Sequence, residues 1–421
     1  MKVNKTADSS DGLVLVLHGE KFVIEVMKMK WQGKLITTGE AVQIEGENGV
    51  ITGVSPLALL SPVAAGNQTL GTSLPWISAG WTDLQVNGFG GYDLNAEQTT
   101  VEDVEGVTRT LHVKGVTSYL PTVITGSFER MRQAMSVIAD YCQTNQYAAA
   151  SIRGIHMEGP YLSSEDGSRG AHPRVHTRDP NWEEFMRLQD AAEGRIRMVT
   201  LAPERDGAIA FIERLAESGV VVAIGHTAAT AEQLDDAVRA GATLCTHLGN
   251  GSHPMLPRHP NYIWHQLADD RLWAAFIPDG HHLAPPVLKA MLRAKRDKSI
   301  LVSDTTQFGG MPPGEYSSLI GGKVVLHEDG WLHTAENPDI LAGSAASLDT
   351  GIANAIRYTD MDLAETVEAV TLRPAKVMRD ERAGRLQVGS PADLTLFDYD
   401  AQRGMISVRE TVVAGQSVHK S

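Results

Sequence analysis

Four polar tips, each closing an apolar run, carry the chemistry legible in this chain. They are His156-Met157-Glu158-Gly159-Pro160, Gly225-His226-Thr227, Thr246-His247-Leu248 and Ser303-Asp304-Thr305. The runs before them, residues 152–157, 220–224, 242–245 and 300–302, read as buried strands. Two carboxylates and two imidazoles are thus delivered to the ends of four separate strands. Carboxylate and neutral imidazole are the ligands of hydrolytic zinc sites, where three protein ligands leave a position open for water. Glu158, His226 and His247 are therefore the metal candidates. Asp304 is the remaining carboxylate, able to take a proton from water and return it to a leaving amine. Read singly, each of these residues has a plainer role: a structural histidine, a salt-bridged strand end, or an N-cap at Asp304. The glycine-rich stretch 308–314 after Asp304 reads as loop, which argues against the cap.

Further candidates follow other strand-like runs. Asp279-Gly280-His281-His282 ends one, Asn250-Gly251 and Arg258 follow another, and Arg169-Gly170-Ala171-His172 lies in the loop after the Glu158 strand. Arginine suits phosphate or carboxylate recognition through paired hydrogen bonds. Gln85 and Asn87 share one face of a strand, where a second metal would call for two histidines. Amides are poor zinc ligands, so one metal is expected. His253, His259, His265, His281, His327 and His333 are taken as structural. Cys142 and Cys245 are the two cysteines, too few for a disulfide framework or a thiolate cluster, and Cys245 reads as a core thiol.

These tips need a scaffold, and the rhythm of the chain supplies one. From residue 75, strand-like runs at 77–86, 118–123, 152–157, 196–201, 220–224, 242–245, 272–277 and 300–302 alternate with amphipathic segments at 101–113, 128–142, 208–217, 231–240 and 286–296. Alternation of this kind predicts a (β/α)8 TIM-like barrel of the α/β class, whose active site lies at the C-terminal ends of its strands. Helices are expected at 347–358 and 363–370. Short strands at 13–17, 34–38, 41–45 and 50–54, and again at 393–397, 405–408 and 411–413, predict a small β-sandwich domain assembled from both termini. The expected division is 1–74 and 376–421 for the small domain and 75–375 for the barrel, with a small, polar connector at 61–73.

The 421 residues carry a formal net charge of −14 and no basic run, which argues against nucleic-acid binding. The polar first eleven residues and the short apolar run after them offer neither a signal core nor a membrane span, so a cytoplasmic protein without membrane association is expected.

The motifs around Glu158, His226, His247 and Asp304, together with Leu341-Ala342-Gly343-Ser344 and Gly389-Ser390-Pro391-Ala392-Asp393-Leu394, resemble those of the N-acetylglucosamine-6-phosphate deacetylases, a branch of the amidohydrolase superfamily. The resemblance runs from about residue 50 to the C-terminus. It implies deacetylation of an N-acetyl amino sugar phosphate, with one divalent metal, Zn2+ first and Fe2+, Co2+ or Mn2+ as alternatives. It assigns Glu158, His226 and His247 to the metal, Asp304 to acid–base catalysis and His172 to polarising the acetyl carbonyl. It places Asn250, the Gly251 backbone, Arg258 and His282 on the sugar phosphate, with Arg258 reaching in from the neighbouring subunit of a homodimer. Gln85 resembles the single-metal members. The chain departs from the family pattern on the substrate side. Asn250-Gly251-Ser252 stands where Asn-Ala-Met is common, His259-Pro260-Asn261 follows Arg258, and the 158–172 loop is longer. A deacylase of the same mechanism acting on another N-acyl amino sugar or an N-acyl amino acid is the alternative.

Overall fold

The computed structural model describes residues 28–57, 74–144, 146–318 and 322–421, and the backbone strands at 13–18 and 21–26. The connector expected at 61–73 and the polar N-terminal stretch lie outside the described residues.

Eight parallel strands form the central sheet: β1 (Trp81–Val86), β2 (Val116–Ile124), β3 (Ile155–Glu158), β4 (Ile196–Leu201), β5 (Val221–Ile224), β6 (Leu244–Cys245), β7 (Trp273–Phe276) and β8 (Ser299–Leu301). They lie in sequence order across the sheet. Past β8 the chain returns to β1, where the Asp304 N–H donates to the Gln85 carbonyl at 3.0 Å and the Asn87 N–H to the Thr305 carbonyl at 2.8 Å. Asp83 adds a clasp by accepting from the Ser303 N–H at 3.2 Å. The barrel is closed by these contacts at the very residues that carry Gln85 and Asp304.

The alternation of strand side chains builds two apolar layers. Leu84, Leu120, Met198, Val221, Leu244, Ala275 and Ile300 form an inner cluster that fills the barrel. Val86, Val123, Met157, Val199, Val222, Phe276 and Leu301 belong to the larger cluster that includes helix residues. Each fully buried Leu or Ile contributes about 1.5–3 kcal/mol of transfer free energy, enough in sum to hold a rigid platform. Near the strand tips the interior turns polar. His156 Nε2 meets Thr200 Oγ1, which in turn meets Thr246 Oγ1, both at 2.7 Å.

All eight expected strands are present, with one division the sequence did not show. The run at 77–86 is two strands, Trp76–Ala79 and β1, broken at Gly80. A Cβ at Gly80 would stand 2.1 Å from Thr117 Oγ1, so only glycine lets the chain turn so close to β2. Trp76–Ala79 pairs with Leu394–Phe397 on one side and Lys34–Leu35 on the other. It thereby joins the terminal segments into one continuous seven-stranded sheet. Trp31, Ile44, Ile51, Ile77, Leu394 and Val412 form its buried cluster. The strand expected at 34–38 lies earlier, at Met29–Leu35, where Trp31 and Gly33 face inward. Those expected at 405–408 and 411–413 are one strand, Met405–Val413. Residues 13–18 and 21–26 pair as a separate hairpin. A three-stranded meander, Gly314–Ser318, Gly322–Leu326 and Leu332–Thr334, was not anticipated. It packs Val324, Leu326 and Leu332 on Phe308 beside the C-terminal ends of the barrel strands. Among the described residues, no helix is long and apolar enough to cross a membrane.

Candidate active site and metal centre

Glu158 ends β3, while His226 and His247 stand two residues past the ends of β5 and β6. The three side chains are buried and converge. Glu158 Oε1 lies 3.3 Å from His226 Nε2 and 3.1 Å from His247 Nε2, and the two Nε2 atoms are 3.1 Å apart. They form the one Glu/His/His group among the described residues whose ligand atoms all lie within 4.8 Å of one another. The donor set fits a divalent cation. Ligands about 2.0–2.1 Å from a tetrahedral ion stand roughly 3.3 Å from each other, close to the edges seen here. His226 Nδ1 meets the Ser168 carbonyl at 3.1 Å, a contact in which Nδ1 donates and which leaves Nε2 as the ring atom available to a cation.

Local sequence sets these tips. His226, His247 and Asp304 adopt φ of 51°, 25° and 48°, the left-handed region that non-glycine residues rarely enter. Such strain costs on the order of 1–3 kcal/mol per residue and clusters where function requires it. The loop beyond His226 is held by Glu204, which accepts from Thr227 Oγ1 and the Ala228 N–H. Thr230 then caps the helix Ala231–Ala240 in a capping box with Gln233. Gly251 packs against His226, since a Cβ there would stand 2.5 Å from its Nδ1.

The electrostatics divide the carboxylates. Burial opposes charge on Glu158, but hydrogen bonds and charge from His226 and His247 win and hold its carboxyl well below the usual range. Asp304 is pushed up to about 6 by burial, with His247 pulling it down and Glu158 raising it. Burial lowers His172 to about 3, with His226 adding to the effect, so its ring is neutral. Cys245 is pushed up to about 12 by burial, which leaves it a neutral core thiol.

These groups open into one cavity of about 850 Å3 at the C-terminal ends of the barrel strands. Glu158, His172, His226, His247, Asn250, Gly251, His282 and Asp304 all line it. His172 Nε2 stands 3.2 Å from His226 Nε2 but outside the ligand trio. Arg258 does not line it and is exposed on the adjoining loop. No Lys or Arg is found among the described residues of the lining.

The Amidohydrolase family profile matches residues 76–418. The chain is 31% identical to the N-acetylgalactosamine-6-phosphate deacetylase of Escherichia coli O157:H7, over 85% of this chain and 90% of that one. It is also 31% identical to the N-acetylglucosamine-6-phosphate deacetylase of Haemophilus influenzae, over 89% and 94%. Among solved structures, a mutant N-acetyl-D-glucosamine-6-phosphate deacetylase from Mycobacterium smegmatis, in complex with N-acetyl-D-glucosamine-6-phosphate, matches with a TM-score of 0.79 and 30% identity, covering 93% of this chain and 99% of that one. The enzyme of that name from Pasteurella multocida matches at 0.80 and 27%, covering 93% and 100%. The chain belongs to the amidohydrolase family. The resemblance of its motifs to the N-acetylglucosamine-6-phosphate deacetylase branch is borne out.

In this amidohydrolase, two amides do what residue type alone did not reveal. Gln85 Nε2 donates to Glu158 Oε1 at 3.0 Å, and Asn87 Nδ2 donates to Asp304 Oδ1 at 2.8 Å. Gln85 on β1 and Asn87 just past its end, at i and i+2, therefore steer two site carboxylates. The spacing was visible in the sequence, but the identity of the partners was not. His281 also lines the cavity, although it reads as structural in the sequence. His253, by contrast, is engaged with Tyr262 and Glu165, at 2.9 and 3.1 Å.

Proposed function

We propose that this amidohydrolase removes the acetyl group of N-acetylglucosamine 6-phosphate, giving glucosamine 6-phosphate and acetate, with Glu158, His226 and His247 holding one divalent metal ion. Zn2+ is the first choice from the donor set, with Fe2+, Co2+ or Mn2+ as alternatives. The observation that carries the reading is the buried trio at 3.1–3.3 Å, with Asp304 lining the same cavity. When bound there, such an ion lowers the pKa of water and polarises a carbonyl oxygen.

Asp304, fixed by Asn87, takes a proton from the water that attacks the acetyl carbon. The neutral His172 ring offers an N–H to the carbonyl oxygen as negative charge develops on it, a kind of stabilisation that often dominates in acyl transfer. Asp304 then gives its proton to the sugar nitrogen as the C–N bond breaks. Acetate and the free amine leave, and the carboxylate is restored.

Asn250, the Gly251 backbone and His282 hold the sugar phosphate, and Arg258 of a second copy completes the subsite in a homodimer. The absence of Lys and Arg from the described lining, and the exposure of Arg258 on the rim loop, support a cation supplied from outside the chain. A phosphorylated substrate, unable to cross membranes unaided, supports a cytoplasmic enzyme. The same cation-free lining favours a second reading, an N-acyl amino sugar or N-acyl amino acid without phosphate. Acetate release by zinc-loaded protein from N-acetylglucosamine 6-phosphate, its galactose epimer and unphosphorylated N-acetylglucosamine decides between them. A strong preference for the phosphorylated glucosamine supports the first reading. Equal rates with and without phosphate would sink it and leave the second.

A further inference from the structure

Beyond β7 the chain runs through Pro278, whose carbonyl accepts from Asn354 Nδ2 at 3.0 Å, into Asp279-Gly280-His281-His282. Asp279 organises this tip. Its Oδ1 accepts the backbone N–H of His281 and of His282, each at 2.9 Å. Its Oδ2 accepts from His282 Nδ1 at 2.7 Å. The side chains are 4% and 7% exposed, so the pair is shielded from bulk water. Burial opposes the charge of Asp279, yet His282 and the two backbone donors hold its carboxyl down at about 2. With Nδ1 committed, Nε2 is the ring nitrogen left for a ligand, and His282 lines the cavity.

The surroundings of that nitrogen matter. Asp93, Asp166 and Asp339 line the cavity along with Glu158 and Asp304, and the imidazoles are the only described groups there able to carry positive charge. His172, His226 and His247 are occupied at the other end, and His281 Nε2 meets the Asp329 carbonyl at 3.1 Å. An anion can be held on His282 Nε2 only if that nitrogen carries hydrogen while Nδ1 keeps the hydrogen given to Asp279. The ring that binds an anion is then doubly protonated and lies between two negative groups. Asp304, past the end of the neighbouring β8, also acts on His282 through space but is tied to Asn87. Asp279 is the one in direct contact.

We propose that Asp279 is a positioning residue that makes His282 the receptor for the anionic group of the substrate. It sets the ring with Nε2 toward the cavity and supplies the counter-charge for the second proton. The inference rests on the phosphorylated-substrate reading above and adds to it the device by which a carboxylate-rich cavity accepts a phosphate.

The test uses the metal-loaded enzyme and the variants Asp279→Asn, His282→Gln and their combination. KM and kcat are measured for N-acetylglucosamine with and without its 6-phosphate, and Ki for inorganic phosphate. Loss of one charge-assisted hydrogen bond should raise KM for the phosphorylated sugar, and Ki for phosphate, roughly ten- to hundredfold in Asp279→Asn. The kcat, the metal content and the KM for the unphosphorylated sugar should stay within about twofold. Because Asp279 acts through His282, the double variant should be no worse than His282→Gln alone. Equal effects on both sugars, or losses that multiply in the double variant, would overturn the proposal. If Asp279→Asn does not fold, Asp279→Glu serves, since it keeps the charge and displaces it by a methylene. A KM rise confined to the phosphorylated sugar supports the proposal, and a uniform loss overturns it. A wild-type enzyme with no preference for phosphate overturns the substrate reading and this one together, whereas a wild-type preference that Asp279→Asn leaves intact overturns this one alone.

Discussion

The two ends of the cavity are built differently. At the chemical end, Glu158, His226, His247 and Asp304 are buried strand tips, locked to one another and to Gln85 and Asn87 by contacts of 2.8–3.3 Å. At the recognition end, Asn250 and Gly251 are partly exposed loop residues, the shielded His282 side chain also sits on a loop, and Arg258 is exposed on the loop beside the cavity. Bond making needs atoms held within a fraction of an ångström, which strand ends of a rigid barrel provide. Recognition of a sugar phosphate tolerates looser elements and, in the proposed dimer, a contribution from another copy. The proposed chemical residues thus all come from one chain, while in the proposed dimer the recognition end draws on two.

If this contrast holds, the largest effect belongs to the chemical end. Asp304→Asn keeps the shape and the hydrogen-bonding size of the side chain but cannot take a proton. Its kcat should fall by roughly 10^2–10^4, with metal content by atomic emission unchanged. His247→Ala should instead lower metal occupancy itself, and activity in proportion. An Asp304→Asn enzyme with near-normal turnover would remove the residue from the mechanism.

A smaller and more selective effect is expected at the recognition end. Arg258→Ala should raise KM for the phosphorylated sugar about ten- to hundredfold and leave that for the unphosphorylated sugar in place. Mixing subunits sharpens the contrast. An Arg258→Ala subunit retains Asp304, and an Asp304→Asn subunit retains Arg258. Their heterodimer should regain a near-normal site if the arginine crosses the interface. No regain on mixing would return Arg258 to its own subunit or to the surface.

The same division explains what the sequence disclosed. The strand tips were legible because each is a local signal, an apolar run ended by a polar residue, and the barrel merely sets such signals side by side. The Gly80 break was not, because its cause is Thr117 on the next strand. The roles of Gln85 and Asn87 were hidden for the same reason, since Asn87 finds Asp304 from the other end of the barrel sequence. The meander at 314–334 escaped because its strands are short and its core is borrowed from Phe308. That meander brings Trp331 to the cavity, so part of the recognition end was illegible along with it.

The smallest expected effect lies beneath the chemistry, at the seam that joins β8 to β1. Asp83 is fully buried, and its Oδ1 accepts from the Gln85 and Ser303 backbone N–H groups while Oδ2 has no partner. Burial, only partly offset by Ser303 and Gln85, raises its carboxyl to about 7. The native state therefore binds this proton more tightly than the unfolded chain, whose carboxyl titrates near 3.9. For an acid with a raised pKa, the stability it contributes is present at low pH and declines as pH climbs from about 4 to about 7, after which the fold carries a buried charge. Asp83→Asn keeps the acceptor and removes the titration. Its melting temperature should gain on the wild type as pH rises from 5 to 8.5, by a few degrees at most, with kcat little changed because Ser303 and Gln85 stay tied. A difference between the two proteins that is constant across that range would mean that Asp83 stays ionised at the seam throughout.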